Sequence, residues 1–328
     1  MSFTIPNSLF GTLVLFALGL GFICIAGDKF VDASVAIATR LRIPQIVVGA
    51  TIVSLGTTLP EILVSTSAAL GAAASPEICI GNALGSIICN TALIAGLGQL
   101  LRPTQRVKQS SITWRLLFFL GAILGMFGVA FLNGRTLPRW FGILLLLAFV
   151  AYALLSIKLS DRSDAEPVES LDDVMPIWEA FLILAVSAFL LYVGANLLVD
   201  NGQSLARMAG VPERVIAVTI IALGTSLPEL VTTVTSCLKG QGDVGLGNII
   251  GANLFNLLLV VGLPTAIKGS IAVTGNALFI DLPIALLVML GLILPMLVRK
   301  KGSRLQGGVL VAVYVGYCLF SFLTDISL

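Results

Sequence analysis

Residues 56–61 of the chain read Gly-Thr-Thr-Leu-Pro-Glu, and residues 224–229 read Gly-Thr-Ser-Leu-Pro-Glu. The two hexapeptides lie 168 positions apart, and the same separation relates Pro44 to Pro212 in the apolar sequence that precedes them. Each motif places a proline and a glutamate inside an apolar stretch, where an uninterrupted helix accommodates neither of them easily.

A second pair of matching segments follows in the same order. Residues 81–90 read Gly-Asn-Ala-Leu-Gly-Ser-Ile-Ile-Cys-Asn, and residues 247–256 read Gly-Asn-Ile-Ile-Gly-Ala-Asn-Leu-Phe-Asn. Their separation is 166 positions, so two residues were gained or lost in the intervening loop. Chance is a poor account of so long a match, which indicates that the two halves of the chain are an internal repeat. The Gly-x-x-x-Gly spacing in both segments also permits helices to approach closely.

The composition indicates that the membrane is the solvent for most of the chain. Of its 328 residues, 57% are hydrophobic and 11% are charged, with a mean hydropathy of +1.05, whereas about a quarter of the residues in a soluble domain are charged. The apolar stretches are continuous and of membrane-spanning length, which favours helices over a transmembrane β-barrel. A net charge of +2 gives no reason to expect a nucleic-acid partner.

The hydropathy pattern predicts ten transmembrane helices. They are expected at residues 8–40, 44–72, 77–100, 112–132, 139–159, 175–208, 212–238, 243–267, 274–298 and 305–325. No basic residue precedes Lys29, so the first apolar stretch is expected to be a mature helix and not a signal peptide. The prediction is an all-α polytopic membrane protein with broken helices 2, 3, 7 and 8. Its parts are a five-helix repeat at 1–159, a cytoplasmic linker at 160–174 and a second, inverted repeat at 175–328.

The distribution of basic residues predicts the orientation of the two repeats. Five is an odd number, so the second half must enter the membrane from the side opposite to the first. With the N-terminus outside, thirteen Lys and Arg residues fall in inside loops and five in outside loops. The positive-inside rule then places both termini on the extracytoplasmic side, in what is expected to be a prokaryotic inner membrane.

Glu61 and Glu229 are the candidate functional residues of the two hexapeptides. A charged carboxylate inside the membrane is energetically unfavourable unless it forms an ion pair or is hydrated. No basic residue lies near the middle of any predicted span. Pro60 and Pro228 lack the backbone N–H and free a carbonyl oxygen one turn earlier. Inverted repeats with interrupted helices at matching places are typical of secondary transporters, whose site lies between the repeats.

The side chains near these two glutamates are mostly neutral oxygen donors. The neighbouring hydroxyls and amides are Thr57, Thr58, Thr225, Ser226, Ser86, Asn90 and Asn256. Calcium takes about six to eight such oxygen ligands in a flexible geometry, and two carboxylates balance one divalent charge. The chain has no histidine, and its five cysteines are scattered through apolar sequence, which argues against a zinc site or a disulfide framework. Four other acids are expected to cap helices or anchor them at the interface: Asp28, Asp32, Asp200 and Asp281.

The two Gly-Thr-x-Leu-Pro-Glu motifs and the Gly-Asn-x-x-Gly segments at 81 and 247 resemble the α-repeats of the calcium/cation antiporter superfamily, in its sodium/calcium exchanger branch. The resemblance covers nearly the whole chain, whose length suits the compact prokaryotic members. It implies that Glu61 and Glu229 share calcium with Thr57 and Thr225, and that helices 1 and 6 slide as a gating bundle. It also implies flanking sodium sites that involve the carbonyls of Ser54 or Ala222, together with Thr58, Ser226, Ser86, Asn90 and Asn256.

Three positions depart from the family pattern. Ala252 stands where the family usually has serine, and Ile87 stands where the first repeat usually has asparagine. Asn90 and Asn256 are both neutral, where many members carry an aspartate in at least one repeat. The centre therefore has two acids, which argues against the potassium-dependent subtype.

Sodium-driven calcium exchange is the main functional hypothesis, and a proton-coupled calcium exchanger is the alternative. A glutamate that alternately binds calcium and a proton would also balance charge, but the proton-exchanger branch carries Gly-Asn-x-x-Glu, and positions 85 and 251 here are glycine. An intramembrane enzyme would need a serine with a base, a histidine-rich metal site or paired aspartates at mid-membrane. A channel is disfavoured because the chain has two asymmetric half-sites and not a ring of identical subunits. No cofactor and no obligate protein partner is expected besides the lipid bilayer and the transported ions, and a monomer could form the whole site.

Overall fold

The computed structural model describes residues 9–70, 76–105, 109–159, 174–209 and 224–326. The helices are α1 (Leu9–Leu41), α2 (Gln45–Thr57), α3 (Leu59–Leu70), α4 (76–101), α5 (Gln109–Leu132), α6 (Arg139–Lys158), α7 (Ile177–Met208), α8 (Leu227–Leu238), α9 (Gly242–Lys268), α10 (Ala277–Arg299) and α11 (Arg304–Ile326). Their bounds agree with the predicted spans to within three residues wherever a whole span is described. For the seventh span, α8 is the second part, and residues 210–223 lie outside the described residues.

The described helices have the lengths and surfaces of a multi-pass membrane protein. Eight of them are long and apolar enough to cross a membrane, and the bent pair α2–α3 makes a ninth such span. Large apolar side chains such as Phe10, Leu132 and Val298 are exposed on their outer faces. Apolar surface of this extent is stable only against lipid. The linker predicted at 160–174 lies almost wholly outside the described residues, so the boundaries between the repeats stay a prediction.

The break predicted in span 2 lies at Thr58. Helices α2 and α3 meet there at an angle of 43°, and Thr58 has φ −83° and ψ −2°. Ser226, its repeat counterpart before α8, has nearly the same conformation, with φ −88° and ψ 7°. Both residues precede a Leu-Pro-Glu sequence, and a proline at the first or second helical position is compatible with a helix start. The two repeats therefore begin a new helix by the same backbone turn.

The breaks predicted in spans 3 and 8 take the form of π-helical segments within continuous helices. These segments are Cys89–Ile94 in α4 and Asn256–Val260 in α9. The carbonyl of Asn90 accepts the N–H of Ala95, and that of Asn256 accepts the N–H of Val261, five residues ahead in both cases. Neither segment contains a proline, so the chain widens one turn without interrupting the helix.

Helices α2 and α9, from opposite repeats, touch backbone to backbone. A Cβ atom added to Gly247 would clash with the carbonyl oxygen of Ile46, and one added to Gly49 would clash with that of Val244. A Cβ on Gly251 would clash with the hydroxyl of Ser54. Glycine is required at this crossing because no side chain fits between the helices. The counterpart partner of the Gly-x-x-x-Gly segment at 81–85 would be residues 210–223, which lie outside the described residues.

Helices α1 and α7 form a separate long pair. They contain 33 and 32 residues and cross where Gly19 meets Gly194, whose carbonyl oxygen would lie 2.9 Å from a Cβ on Gly19. At the end of α1, the Arg40 side chain donates hydrogen bonds to the carbonyl of Met175, at 3.0 Å, and to that of Val174. The first helices of the two repeats therefore contact each other at two places along their length.

One element was not predicted. Residues Thr136–Pro138 (β1) pair in antiparallel register with Ser270–Ala272 (β2), so that Leu137 lies opposite Ile271. Both strands are three residues long and stand in loops before α6 and before α10. Strands this short carry no detectable alternation in sequence, and the two partners come from different repeats.

The substitution Gly247→Ala should destabilise the protein, because the added methyl would push α2 and α9 apart. Overpacking of this kind costs about 1–3 kcal/mol, so the thermal unfolding midpoint in detergent should fall by several degrees. Gly121→Ala is the matched control, since Gly121 is exposed on α5 and a Cβ added there would meet no described atom within 4 Å. Equal midpoints for the two variants would contradict the assigned contact.

Candidate ion-binding site

The two glutamates lie at matching places in the interior. Glu61 is in the first turn of α3 and Glu229 is in the first turn of α8, and both side chains are fully buried. A helix N-terminus carries a partial positive charge that favours a carboxylate. The proline before each glutamate starts the helix at this point, so the same local sequence both breaks the span and orients the acid.

The carboxylate of each glutamate faces hydroxyl groups of the opposite repeat. The Thr58 hydroxyl donates to Oε1 of Glu229 at 3.4 Å, and Thr57 also lies beside this carboxylate. Thr225 of the second repeat lies beside the carboxylate of Glu61 in the same way. The structure therefore brings together five of the predicted site residues in a reciprocal arrangement across the repeat interface.

The charge of this acidic pair is not balanced by any described residue. Both carboxylate oxygens of Glu61 and Oε2 of Glu229 are buried without a hydrogen-bond partner among the described residues. The two carboxylates are also close enough to repel each other. A buried carboxylate without a partner is strongly unfavourable, so the arrangement is complete only when a cation or protons supply positive charge.

Asn90 and Asn256 are equally unsatisfied. Both are fully buried, and in the described part of the chain neither their amide nitrogens nor their carbonyl oxygens have a hydrogen-bond partner. Each lies at the start of a π-helical segment, where the backbone is widened. The Ser226 hydroxyl is also buried without a described partner, and Ser86 is buried one turn before Asn90. These four residues are buried neutral groups with oxygen atoms, and their place around the two acids stays a prediction.

Ser54 contributes to the packing of α2 against α9 as well as to the candidate site. Its hydroxyl lies 2.8 Å from the carbonyl of Gly49 and 2.9 Å from that of Asn248, and its own carbonyl accepts the N–H of Thr58 at 2.9 Å. The Thr57 hydroxyl lies 3.5 Å from the same carbonyl oxygen, so an ion bound there would compete with this long hydrogen bond. Ala222, the other predicted carbonyl ligand, lies outside the described residues.

Two further asparagines hold the site together, and the sequence did not single them out as site residues. Asn248 accepts a hydrogen bond from the Thr57 hydroxyl at 3.2 Å. Asn82, its repeat counterpart, donates to the carbonyl of Glu61 at 3.3 Å and to the Ser65 hydroxyl at 2.9 Å. The signal that could have found them is the Gly-Asn pair that begins both matched segments.

The acids expected to cap or anchor helices have other roles where their contacts are described. Asp281 accepts a hydrogen bond from the Tyr317 hydroxyl at 2.9 Å, between α10 and α11. Asp28 and Asp32 lie inside α1, not at its end, and form ion pairs with Lys239. Helix capping was the wrong expectation for these three, because each bonds to a residue outside its own helix, which sequence position alone does not reveal. Their anchoring at the membrane interface stays a prediction.

The ligand chemistry of the site is that of a hard cation. Two carboxylates, hydroxyls and amide carbonyls are oxygen donors of the kind that calcium and sodium accept. Within the described residues, no group of three or more His, Cys, Asp or Glu side chains is arranged to hold a metal ion. All five cysteines are free, and Cys24 is exposed on the outer surface.

Comparison with known families accounts for this architecture. The family model described as "Sodium/calcium exchanger protein" matches residues 11–158 and 179–323, which together make up most of the chain. The chain belongs to the sodium/calcium exchanger family. It is therefore a multi-pass membrane transporter that carries cations by antiport, and not an enzyme.

Individual relatives of this exchanger match it over nearly their full lengths. The inner membrane protein YrbG of Escherichia coli is 33% identical over 95% of this chain and 98% of its own. The sodium/calcium exchanger MaX1 of Methanosarcina acetivorans is 28% identical over 94% of this chain and 98% of its own. The solved structure of the sodium-calcium exchanger NCX_Mj, soaked with Na⁺ and Sr²⁺, superposes with a TM-score of 0.77 at 29% identity. That match covers 94% of this chain and 98% of NCX_Mj.

Glu61→Gln and Glu229→Gln should each weaken calcium binding by at least about a hundredfold, or ~2.7 kcal/mol. The reason is that one carboxylate cannot balance a divalent ion in the interior. Titration calorimetry on the purified protein measures the affinity. The thermal midpoint without calcium should not fall, because each variant removes a buried negative charge.

Asp281→Asn is the matched control, because Asp281 is an acid within a membrane span that lies outside the site. It should bind calcium as the wild type does. An affinity within threefold of wild type in either glutamine variant would rule out the pair as the calcium site.

Proposed function

We propose that this exchanger moves calcium in one direction and sodium in the other, at a single central site that opens alternately to the two sides of the membrane. The observation that carries the proposal is the pair Glu61 and Glu229, contributed by opposite repeats and left without a described positive partner. One calcium ion neutralises both carboxylates, with Thr57 and Thr225 as further oxygen ligands.

Sodium as the counter-ion is supported by the neutral donors around the acids. Ser86, Ser226, Asn90 and Asn256 cannot titrate, so they offer oxygen atoms to a monovalent cation but no exchangeable proton at neutral pH. Positions 85 and 251 are glycine, so a third or fourth glutamate is missing from the places where a proton-coupled exchanger would carry one. Ala252 lacks the serine hydroxyl that is usual in the family, so one oxygen ligand for sodium is missing. The number of sodium ions carried depends on such ligands.

Alternating access is supported by the division of the molecule into two packed groups. Helices α1 and α7 are joined to each other at Gly19–Gly194 and through Arg40. The helices that carry the site are joined separately, backbone to backbone at Gly247. Two groups that are each joined internally can slide past each other as bodies, and a cavity lined by Tyr192 of α7 and by Thr225 of the site lies between them.

Ion flux into proteoliposomes tests the exchange. Calcium uptake should follow an imposed sodium gradient and disappear when that gradient is absent, whereas potassium or pH gradients of equal size should not replace it. Glu229→Gln provides the inactive control. Uptake that follows the pH gradient and ignores sodium would replace this proposal with proton-coupled calcium exchange, in which the glutamates bind protons in turn.

We further propose that the exchanger lies in a prokaryotic inner membrane with both termini outside the cytoplasm. The excess of thirteen basic residues over five on opposite sides supports this orientation. Alkaline phosphatase, which is active only outside the cytoplasm, should be active when fused after residue 326 and inactive when fused in the loop before α11. The reverse pattern would invert the topology.

A further inference from the structure

The middle of helix α2 contains a π-helical turn directly before two candidate site residues. The turn runs from Gly49 to Val53, and the N–H of Ser54 bonds to the carbonyl of Gly49, five residues back. Beyond the turn, the Thr57 hydroxyl reaches Asn248 of the opposite repeat at 3.2 Å. Each residue of an α-helix turns the chain by about 100°. If this turn lost its extra residue, Ser54 and Thr57 would therefore rotate away from the opposite repeat.

Two neighbouring helices contact this π-helical turn. A Cβ added to Gly251 of α9 would clash with the Ser54 hydroxyl and with the carbonyl oxygen of Ala50. The Tyr152 hydroxyl of α6 donates a hydrogen bond to the same carbonyl oxygen at 2.8 Å. Both Tyr152 and Ala50 are fully buried. The position of the Ala50 carbonyl is therefore set by the main chain of α9 and by one hydroxyl group of α6.

The ring of Tyr152 is held in place by aromatic neighbours. Its centroid lies 5.5 Å from that of Trp114 and 6.0 Å from that of Phe118, both on α5. The Phe255 ring of α9 lies 6.2 Å away, nearly perpendicular to it. Aromatic contacts of this kind stabilise the ring whether or not it carries a hydroxyl. The contact with Ala50 can therefore be removed without removing the packing.

A buried arginine lies beside Tyr152. Arg115, near the start of α5, is only 1% exposed, whereas an arginine near the end of a membrane span ordinarily extends to the interface. Its Nη1 donates to the carbonyl and the hydroxyl of Ser111 at 2.5 and 2.6 Å, and its guanidinium carbon lies 4.5 Å from the centroid of the Trp114 ring. The guanidinium also interacts with Tyr152. A cationic donor beside a hydroxyl polarises it and strengthens the bond that the hydroxyl donates.

We propose that Tyr152, held by Arg115, is a positioning residue for ion binding. Its hydrogen bond to Ala50 keeps α2 in the π-helical turn, and this turn presents Ser54 and Thr57 to the ion. Tyr152 and Arg115 act on the ion through the backbone of α2. The inference rests on the ion site proposed above, since it assigns the two residues of α2 to that site.

The substitution Tyr152→Phe removes the hydroxyl and keeps the ring. The Ala50 carbonyl then loses a hydrogen bond, and the turn reverts part of the time to α-helical bonding, in which Thr57 no longer faces the site. Calcium affinity, measured by titration calorimetry well below the unfolding temperature, should fall about three- to tenfold, which is the usual effect of one buried hydrogen bond. An affinity equal to that of the wild type would overturn the proposal.

Tyr317→Phe is the matched control. The Tyr317 hydroxyl also donates an interhelical hydrogen bond, to Asp281 at 2.9 Å, but this bond joins α10 to α11 outside the site. Calcium affinity in Y317F should stay within about twofold of wild type, because no residue of α2 depends on this bond. A merely structural role for Tyr152 predicts that both variants lose stability and that neither loses affinity. Equal losses of affinity in the two variants would also contradict a specific role.

A double-mutant cycle tests the contribution of Arg115. Arg115→Met keeps a long side chain and removes the buried charge, an exchange that buried sites often tolerate. R115M alone should lower calcium affinity about two- to fivefold, because the Tyr152 hydroxyl loses its cationic neighbour. Added to Y152F, it should lower the affinity no further. Additive losses would show that Arg115 does not act through Tyr152 and would refute that part of the proposal.

Hydrogen–deuterium exchange gives a readout that does not require ion binding. In calcium-free buffer, Y152F should accelerate exchange at residues 51–58, where the amides follow the turn, and Y317F should not. If the wild type bound no calcium, the ion site proposed above would fail, while this comparison would still decide whether Tyr152 holds the turn. Exchange at residues 51–58 that is the same in Y152F and wild type would refute the positioning role.

Discussion

The structure depends on one electrostatic constraint: two carboxylates, Glu61 and Glu229, are held together in the membrane interior without a positive side chain among the described residues. Each is tolerated because a helix begins at that point and directs its partial positive end at the acid, and the preceding proline makes the helix begin there. The hydroxyls of the opposite repeat make polar contacts with the carboxylates but supply no positive charge. A bound cation would supply the missing positive charge, and the packing of the two repeats brings the second carboxylate close to the first.

The glycine contact between α2 and α9 determines how closely the two repeats pack. The two acids come from opposite halves of the chain, so their separation depends on how closely the repeats pack. At Gly49 and Gly247 the contact is made by main chain, which cannot adopt alternative rotamers and therefore fixes the distance tightly. The pair α1–α7 is tight in the same way at Gly19–Gly194, and the contact between the two groups combines a close approach of Gly27 to Val231 with the ion pairs of the partly exposed Lys239.

Most of the fold could be predicted from the sequence, because lipid imposes a simple rule of length and apolarity on every span. The turn at Thr58 and Ser226 could also be predicted, since proline acts locally. The π-helical segments at Asn90 and Asn256 could not, because widening a helix by one turn leaves no compositional trace. Nor could the partners of Asp28 and Asp281, which lie far away in sequence. The grouping of Glu61, Glu229 and their threonines followed from the repeat, but the roles of these residues as ion ligands stay a prediction.

Helix α1 carries Asp28, Lys29, Asp32 and Arg40 as its charged residues, so its side chains sum to zero. Moving one elementary charge through 100 mV of membrane potential involves about 2.3 kcal/mol, which would be enough to bias a sliding helix strongly. A helix of zero net charge avoids that bias when it moves as a unit. Helix α7, to which α1 is joined, carries Glu179, Asp200 and Arg207 and sums to −1, so if the pair slides, the membrane potential acts on it through α7 and on the ions that the site carries.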